Sequence, residues 1–340
     1  MSGCCCSREN SSCCGFETVA TVSTQLTMRD TLGAWKVRWG IGRMNYKVEP
    51  GLYAVGKPEN TSSVLVSANY KLTFDSLRKE LSGLDCWLLI LDTRGVNVWC
   101  AAGKGTFGTD ELVNRISQTG LSDVVTHRKL ILPQLGAVGI SAHEVQKRSG
   151  FAVAYGPVRA NDIKAYLASG NRATEAMRQV RFTLYDRLVL TPVEFVTAAR
   201  KFLLVFGWLF IINLFAMRPF GLSDFVVCMG AVITGTVITP VLLPFIPGRS
   251  FAWKGWLAGL LGTIAICQLN GWYSSKTWGL ALGYLLALPS ISAYLAMNFT
   301  GSSTYTSFSG VTKEMKRAIP LILISVAVGT ILVLLKSLLG

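Results

Sequence analysis

Charge is segregated along this chain: residues 1–200 hold 24 Lys/Arg and 17 Asp/Glu, whereas residues 202–312 hold five charged side chains, Arg218, Asp224, Arg249, Lys254 and Lys276. A stretch that long and that poor in charge lacks the polar residues with which a soluble domain faces water. Uncharged apolar runs stand out at Phe202–Met217, Phe225–Gly248, Gly255–Tyr273, Thr277–Phe299 and Ala318–Leu335. Each is near the ~20 residues that cross a bilayer, so five spanning helices are expected. With 51% hydrophobic residues and a mean hydropathy of +0.42, neither a disordered chain nor an ordinary all-soluble protein fits. The expected organisation is a Cys-rich tail without regular structure over 1–32, an aqueous domain over 33–190, a juxtamembrane helix over 191–201 and an all-α transmembrane domain over 202–340.

The flanking charges orient the spans. With the N-terminus inside, the inner side receives Arg200, Lys201, Arg249, Lys254, Lys313, Lys316 and Arg317, and the outer side Arg218, Lys276 and Lys336. That bias predicts a multi-pass protein of the inner, cytoplasmic membrane with its aqueous domain in the cytoplasm. Residues Met1–Gly15 lack the apolar core of a secretory signal. The nine Cys are therefore expected as thiols or metal ligands rather than disulfides. The net charge of +14 calls for an anionic partner, and the membrane half makes that partner lipid rather than nucleic acid.

Thr191-Pro192-Val193-Glu194 reads as a helix start, with Thr as cap, Pro at the first helical position and Glu closing a capping box. None of the five runs contains an acidic, basic or His residue, which argues against a pump or ion transporter and for an anchor or docking platform, or a conduit for something neutral. Pro240, Pro244, Pro247 and Pro289 read as packing kinks. The hydroxyl-rich loop Thr300–Thr312 either touches the aqueous domain or its ligand, or is a plain connector.

From Val64 onward, apolar runs alternate with amphipathic stretches: VLVSANY, FDSLRKEL, CWLLILD, DELVNRIS, KLILPQL, AHEVQKRS, FAVAY, DIKAYLA. Strand alternating with helix implies a parallel, Rossmann-like α/β sheet, whose ligands bind outside the carboxyl ends of the strands. The loops leaving those ends are Ser67–Lys71, Asp92–Thr109, Pro133–Ile140 and Tyr155–Asn161, all rich in Gly, Ala, Ser or Asn. No GxGxxG follows the first strand and no GxxxxGK[ST] occurs, so neither a dinucleotide nor nucleotide hydrolysis is supported.

The second loop, NVWCAAGKGTFGT, is the unusual one. Asn97 can cap a short helix that Ala101 and Ala102 favour, and Cys100 then falls in its first turn. Helix amides, with Lys104 nearby, favour a thiolate there. A Cys nucleophile would want a base, for which the chain has only His127 and His143. Metal ligation needs none, because the metal itself deprotonates the thiol. Loop position predicts ligand contacts from Asn97, Val98, Trp99, Cys100, Ala101 and Ala102, and from Gly103, Lys104, Gly105, Thr106, Phe107 and Thr109. Gln134, Leu135, Gly136, Gly139 and Tyr155 complete the expected site from the neighbouring loops.

Three segments, NVWCAAGKGTFGT (97–109), LPQLGAVGISAHEV (132–145) and YGPVRANDIKAYL (155–167), resemble the corrinoid-binding domain of the corrinoid iron–sulfur protein of the acetyl-CoA pathway. The resemblance covers roughly residues 35–181. Five C-terminal spans and a Cys in the NVWCAAGK segment make the chain similar to the mercury-methylating corrinoid proteins of the HgcA family. The resemblance implies a cobalamin or related corrinoid cofactor, with Cys100 on the cap helix as lower ligand to cobalt, and transfer of a methyl group from methylcobalt(III) to Hg(II). It also implies a ferredoxin-like iron–sulfur partner of the HgcB type as electron donor, and a methyl-folate-type methyl donor.

Two departures qualify it. Cys4, Cys5, Cys6, Cys13 and Cys14 do not have the spacing of a ferredoxin cluster, and are expected to be either mercury-handling thiols or an inert or lipidated tail. No DxHxxG motif supplies a cobalt-ligating His. The alternative functions are a corrinoid methyl carrier of one-carbon metabolism and a membrane corrinoid carrier or salvage protein.

Overall fold

The computed structural model of the chain describes residues 19–274, 277–302 and 308–339. Cys4, Cys5, Cys6, Cys13, Cys14, Lys276 and part of the 300–312 loop lie outside the described residues. The chain divides into two compact units. One comprises the chain up to Ala34 with Met44–Gln179, the other Trp35–Arg43 with Val180–Gly340.

The first unit is an α/β sheet of six strands, β1 (Ala20–Val22), β2 (Gly51–Val55), β3 (Val64–Ala68), β4 (Cys86–Leu91), β5 (Lys129–Leu132) and β6 (Ala152–Tyr155), in the order β1-β2-β4-β3-β5-β6. Strands β3 to β6 pair in parallel, linked by the helices α2 (Lys71–Glu80), α3 (Val98–Gly103), α4 (Thr109–Gln118), α5 (Leu121–Val124) and α6 (Ala142–Ser149). Both faces are covered. Val64, Val66, Leu89 and Leu91 enter one core, while Leu65, Leu88, Ile90 and Ile131 enter the other, which is why β4 reads as an unbroken apolar run.

The expected all-parallel sheet has one departure: β2 runs antiparallel to β4, with Gly51 opposite Ile90 and Val55 opposite Cys86. Residues 56–63 between β2 and β3 are too few for a crossover and reverse the chain instead.

A second correction concerns residues 1–32, expected to lack regular structure. β1 adds to the sheet in parallel beside β2, and helix α1 (Met28–Arg38) follows. The cause is an ion network tying this segment to α2. Asp30 meets Lys71 Nζ at 2.6 Å and Arg78 at 2.8 Å, and both cations also hold Asp75, at 2.7 Å each. Arg78 donates further to the carbonyls of Ser23 and Gln25. Burial alone would raise the Asp30 carboxyl, but hydrogen bonds from Lys71, Thr27 and Arg78 outweigh it and hold the group well below the usual carboxylate range.

The second unit is helical. Helices Leu184–Asn213, Leu222–Leu242, Trp278–Asn298 and Ser309–Leu339 are long and apolar enough to cross a membrane. The third expected span corresponds to the 19-residue helix Phe251–Leu269, whose Lys, Gln and three Trp/Thr positions dilute its hydropathy.

The first of these helices starts earlier than Thr191. Thr183 caps it, with Asp186 completing the capping box, and Pro192 lies inside it. Pro192 cannot donate to the Leu188 carbonyl, and the Thr191 hydroxyl does so instead at 2.9 Å. The Leu222–Leu242 helix, likewise, begins before the run that marked it and includes a buried carboxylate, Asp224. Arg218 and the Tyr284 hydroxyl donate to its Oδ1 at 3.1 and 2.6 Å, and the Gly221 amide to its Oδ2 at 2.8 Å. Fully partnered, Asp224 acts as a helix cap.

Small residues set the helix contacts. A Cβ on Gly255 or Gly259 would collide with Ser292 and its neighbours, and one on Gly283 or Gly329 with the facing helix.

Candidate functional site at the carboxyl edge of the sheet

The sharp loop between β4 and α3 is organised by one buried side chain from the end of β3. Asn69 Oδ1 accepts from the Thr93 amide at 3.1 Å and the Gly95 amide at 3.0 Å, while its Nδ2 donates to Asp92 Oδ1 at 2.9 Å. The Thr93 hydroxyl lies 2.9 Å from the same Asn69 oxygen and 2.6 Å from the Val96 carbonyl. These bonds hold a tight turn in which Arg94 and Gly95 both have positive φ, 57° and 71°. Glu111 on α4 accepts from the Asp92 amide at 2.8 Å and fixes the other flank.

Out of that turn comes α3, with Asn97 as its N-cap. Its side chain accepts from the Cys100 amide at 3.0 Å. The helix is two-faced. Val98, Ala101 and Ala102 are buried in the core, whereas Trp99 is 37% exposed and Cys100 is part-exposed as a free thiol. The Ala101 carbonyl then accepts from both the Thr106 and Phe107 amides, closing the helix and turning Gly103, Lys104 and Gly105 out to solvent. A Cβ on Gly103 or Gly105 would meet nothing within 4 Å.

Other residues of the expected site are spent on structure. Phe107 is fully buried, and its ring fills the space a Cβ on Gly136 would need, at 2.5 Å. A Cβ on Gly139 would strike the Phe107 carbonyl and Ala102. These two glycines thus let the β5 loop close onto α3. The Thr109 hydroxyl accepts from the Ser141 amide at 2.9 Å, and the Tyr155 hydroxyl donates to the Ile140 carbonyl at 2.8 Å, so both brace that loop. Burial raises the Tyr155 hydroxyl above its ordinary value.

Gln134 is different. Its Oε1 is buried and, among the described residues, has no hydrogen-bond partner. Beside it, Leu135 shares with Asn97, Val98 and Trp99 the wall of a cleft of about 390 Å³ that also reaches Pro133 and Gly156.

Among the described residues neither His ring has a hydrogen bond to Cys100. His127 lies at the start of β5, where its Nε2 is 2.9 Å from the Ser62 carbonyl, and His143 is exposed on α6. Among the described residues no group of three or more His, Cys, Asp or Glu is placed to hold a metal ion. Cys86, by contrast, is buried on β4, and burial pushes its thiol up to about 12. Asn69 and Thr93 fall inside the expected ligand-edge loops 67–71 and 92–109, but neither is among the expected site residues, because their contact joins positions 24 apart and no local pattern announces it.

Residues 38–167 match the family described as CdhD, CO dehydrogenase/acetyl-CoA synthase delta subunit. The chain is 33% identical over 123 residues to the acetyl-CoA decarbonylase/synthase complex subunit gamma of Methanopyrus kandleri, covering 36% of this chain and 26% of that one. It is 32% identical over 122 residues to the subunit of the same name from Methanocaldococcus jannaschii, covering 35% and 25%. With subunit gamma 2 of Methanosarcina thermophila it shares 37% identity over 94 residues, 26% and 20% of the two chains. The chain thus spans a fifth to a quarter of the length of these curated relatives. Over residues 38–167 the chain is similar to the CdhD family and to the gamma subunits of acetyl-CoA decarbonylase/synthase complexes.

Proposed function

We propose that the α/β unit is a corrinoid-binding methyl-transfer domain anchored to the membrane by the helical unit, and that it passes the methyl group to Hg(II). The observation that carries this reading is Cys100: a part-exposed thiol in the first turn of a capped helix at the ligand edge of a domain similar to the CdhD family. A bound corrinoid would supply a transferable methyl group, and Cys100 would hold its metal through sulfur, an anionic donor whose electron density would favour passing the methyl to an electrophile such as Hg(II).

The residues present fit such a group. Cys100 offers the sulfur, and the Asn97 cap restrains the turn that carries it. The open backbone at Gly103 and Gly105 admits a bulky ring, and Trp99 offers it an apolar face. The orphaned Gln134 oxygen suits an amide N–H, of which a corrinoid rim has several.

The Phe251–Leu269 helix is proposed as the fifth span. Its Gly255 and Gly259 lie against Ser292 in the middle of the Trp278–Asn298 helix, so it runs alongside a membrane-length neighbour. At 19 residues it is roughly 28 Å long, close to the ~30 Å hydrocarbon core. The aqueous unit then faces the cytoplasm, where an HgcB-type iron–sulfur protein supplies electrons and a methyl-folate system supplies methyl groups.

The test is full-length protein given corrinoid, methyl donor, reductant and Hg(II). Methylmercury should form, and Cys100→Ala should abolish both its formation and the sulfur-ligand signature in the visible spectrum of the oxidised cofactor. Cys100→His keeps a ligand but replaces an anionic donor by a neutral one, so cofactor should stay bound while transfer falls steeply. An alanine variant with wild-type spectrum and rate would refute the assignment. The second reading, a methyl carrier of one-carbon metabolism, is favoured by the gamma-subunit relatives. It is distinguished by methyl transfer that proceeds without Hg(II) and is indifferent to Cys100.

A further inference from the structure

A groove of about 1420 Å³ lies within the helical unit, between the helices Phe251–Leu269, Trp278–Asn298 and Phe308–Leu339. Its two ends differ chemically. One rim carries Arg249, Lys313 and Arg317, all exposed and, among the described residues, without an ion-pair or hydrogen-bond partner. The acid beside them, Glu314, is turned inward: its Oε1 accepts from Ser250 Oγ at 3.0 Å and from the Ala252 amide at 2.6 Å, where it caps the helix that starts at Phe251. Three positive charges are thus left over at one end. From there the groove is apolar, walled by Ala293, Leu321, Ile322 and Val328, with Trp253 and Trp256 stacked at 5.5 Å on its side.

The dimensions name the occupant. From Arg317 to Val328 the helix rises roughly 16 Å, about half the ~30 Å hydrocarbon core. A groove with cations at its mouth and an apolar wall reaching mid-bilayer matches one leaflet of an anionic phospholipid, phosphate at the arginines and acyl chains along the wall. We propose that this groove is a specific site for an anionic phospholipid such as phosphatidylglycerol. The inference rests on the membrane anchoring proposed above. It converts the general attraction of a basic chain to a membrane into a defined seat.

The two tryptophans are built-in reporters. Full-length protein is reconstituted in phosphatidylcholine vesicles that contain, in equal fraction, either brominated phosphatidylglycerol or brominated phosphatidylcholine, and tryptophan quenching is titrated. Half-maximal quenching should need less brominated phosphatidylglycerol, with an advantage falling about fivefold for each cation removed in Arg249→Gln, Lys313→Gln and Arg317→Gln. The Arg249→Lys, Lys313→Arg, Arg317→Lys combination should keep it. The combined Trp253→Phe, Trp256→Phe variant should lose the headgroup-dependent part of the signal. Equal quenching by both lipids in vesicle-inserted protein would overturn the site. So would quenching by neither lipid together with cross-linking between copies through Leu321, which would assign the groove to a second chain. Protein that fails to float with vesicles at all would overturn the anchoring, and the lipid seat with it.

Discussion

Asn69 and Thr93 are 24 residues apart, yet the Asn69 side-chain oxygen lies 3.1 Å from the Thr93 amide and 2.9 Å from its hydroxyl, both residues being buried. The pair ties the carboxyl end of β3 to the turn that launches the Cys100 helix. Asn69→Ala would leave the Thr93 and Gly95 amides buried without acceptors, at a cost of about 1–3 kcal/mol each. The expected outcome is faster hydrogen exchange over residues 93–103 with little change in β5 and β6, and weakened ligand binding at Cys100. Unchanged exchange in that window would show that the turn holds itself.

Asp30 sets an acid limit on the N-terminal segment. Its carboxyl is depressed in the folded chain relative to an ordinary Asp near ~3.9, so the stabilisation is fully present above about pH 4. As pH falls below that value toward the depressed folded one, the unfolded segment takes up the proton more readily and the stabilisation drains away. Proteolytic protection of residues 20–38 should therefore hold at pH 5 and decline below about pH 4. Asp30→Asn should lose protection already at pH 7, because Arg78 and Lys71 are left with one anion, Asp75, between them.

Thiol chemistry should separate the cysteines of the α/β unit. Cys86 is 1% exposed and its thiol is pushed up to about 12, so it stays protonated and shielded at neutral pH. Cys100 is part-exposed at a helix start. Brief alkylation of the native chain, followed by peptide mass mapping, should label Cys100 and spare Cys86, and added corrinoid should protect Cys100. Labelling of Cys86 at a comparable rate would contradict the packing of β4.

Membrane topology turns on the Phe251–Leu269 helix. If it crosses, reporters fused near Arg218 and after Leu339 should both read the far side, and one near Lys316 the cytoplasm. If only the four longer helices cross, the reporter after Leu339 should return to the N-terminal side.

Much of the α/β unit was legible because strand and helix periods are local. VLVSA and CWLLIL are apolar on both faces since helices cover both faces of the sheet, and Asn97 announces α3 through an i, i+3 bond. What escaped was non-local. Asp30 finds Arg78 across 48 positions, and β2 finds β4 antiparallel only because a short loop precedes β3. The site was read too generously for a related reason. A small-residue loop looks the same whether a ligand or the protein's own ring will fill it, and at Gly136 the ring is Phe107.

The Gln134 oxygen offers a test whose sign reverses between ligand-free and ligand-bound protein. In the ligand-free chain the oxygen is buried without a donor among the described residues, at a cost of about 1–3 kcal/mol of desolvation. Gln134→Leu removes that cost and supplies apolar contact beside Leu135, so the ligand-free domain should be as stable as the wild type or more stable. If the oxygen waits for an amide of the bound ring, the same substitution removes a hydrogen bond from the complex, and affinity for corrinoid should fall by about five- to thirtyfold, the equivalent of about 1–2 kcal/mol. Thermal melts with and without corrinoid measure both halves. A variant stabilised in the absence of ligand and weakened in binding supports the assignment, whereas one destabilised without ligand and unchanged in affinity would make Gln134 a residue of the scaffold.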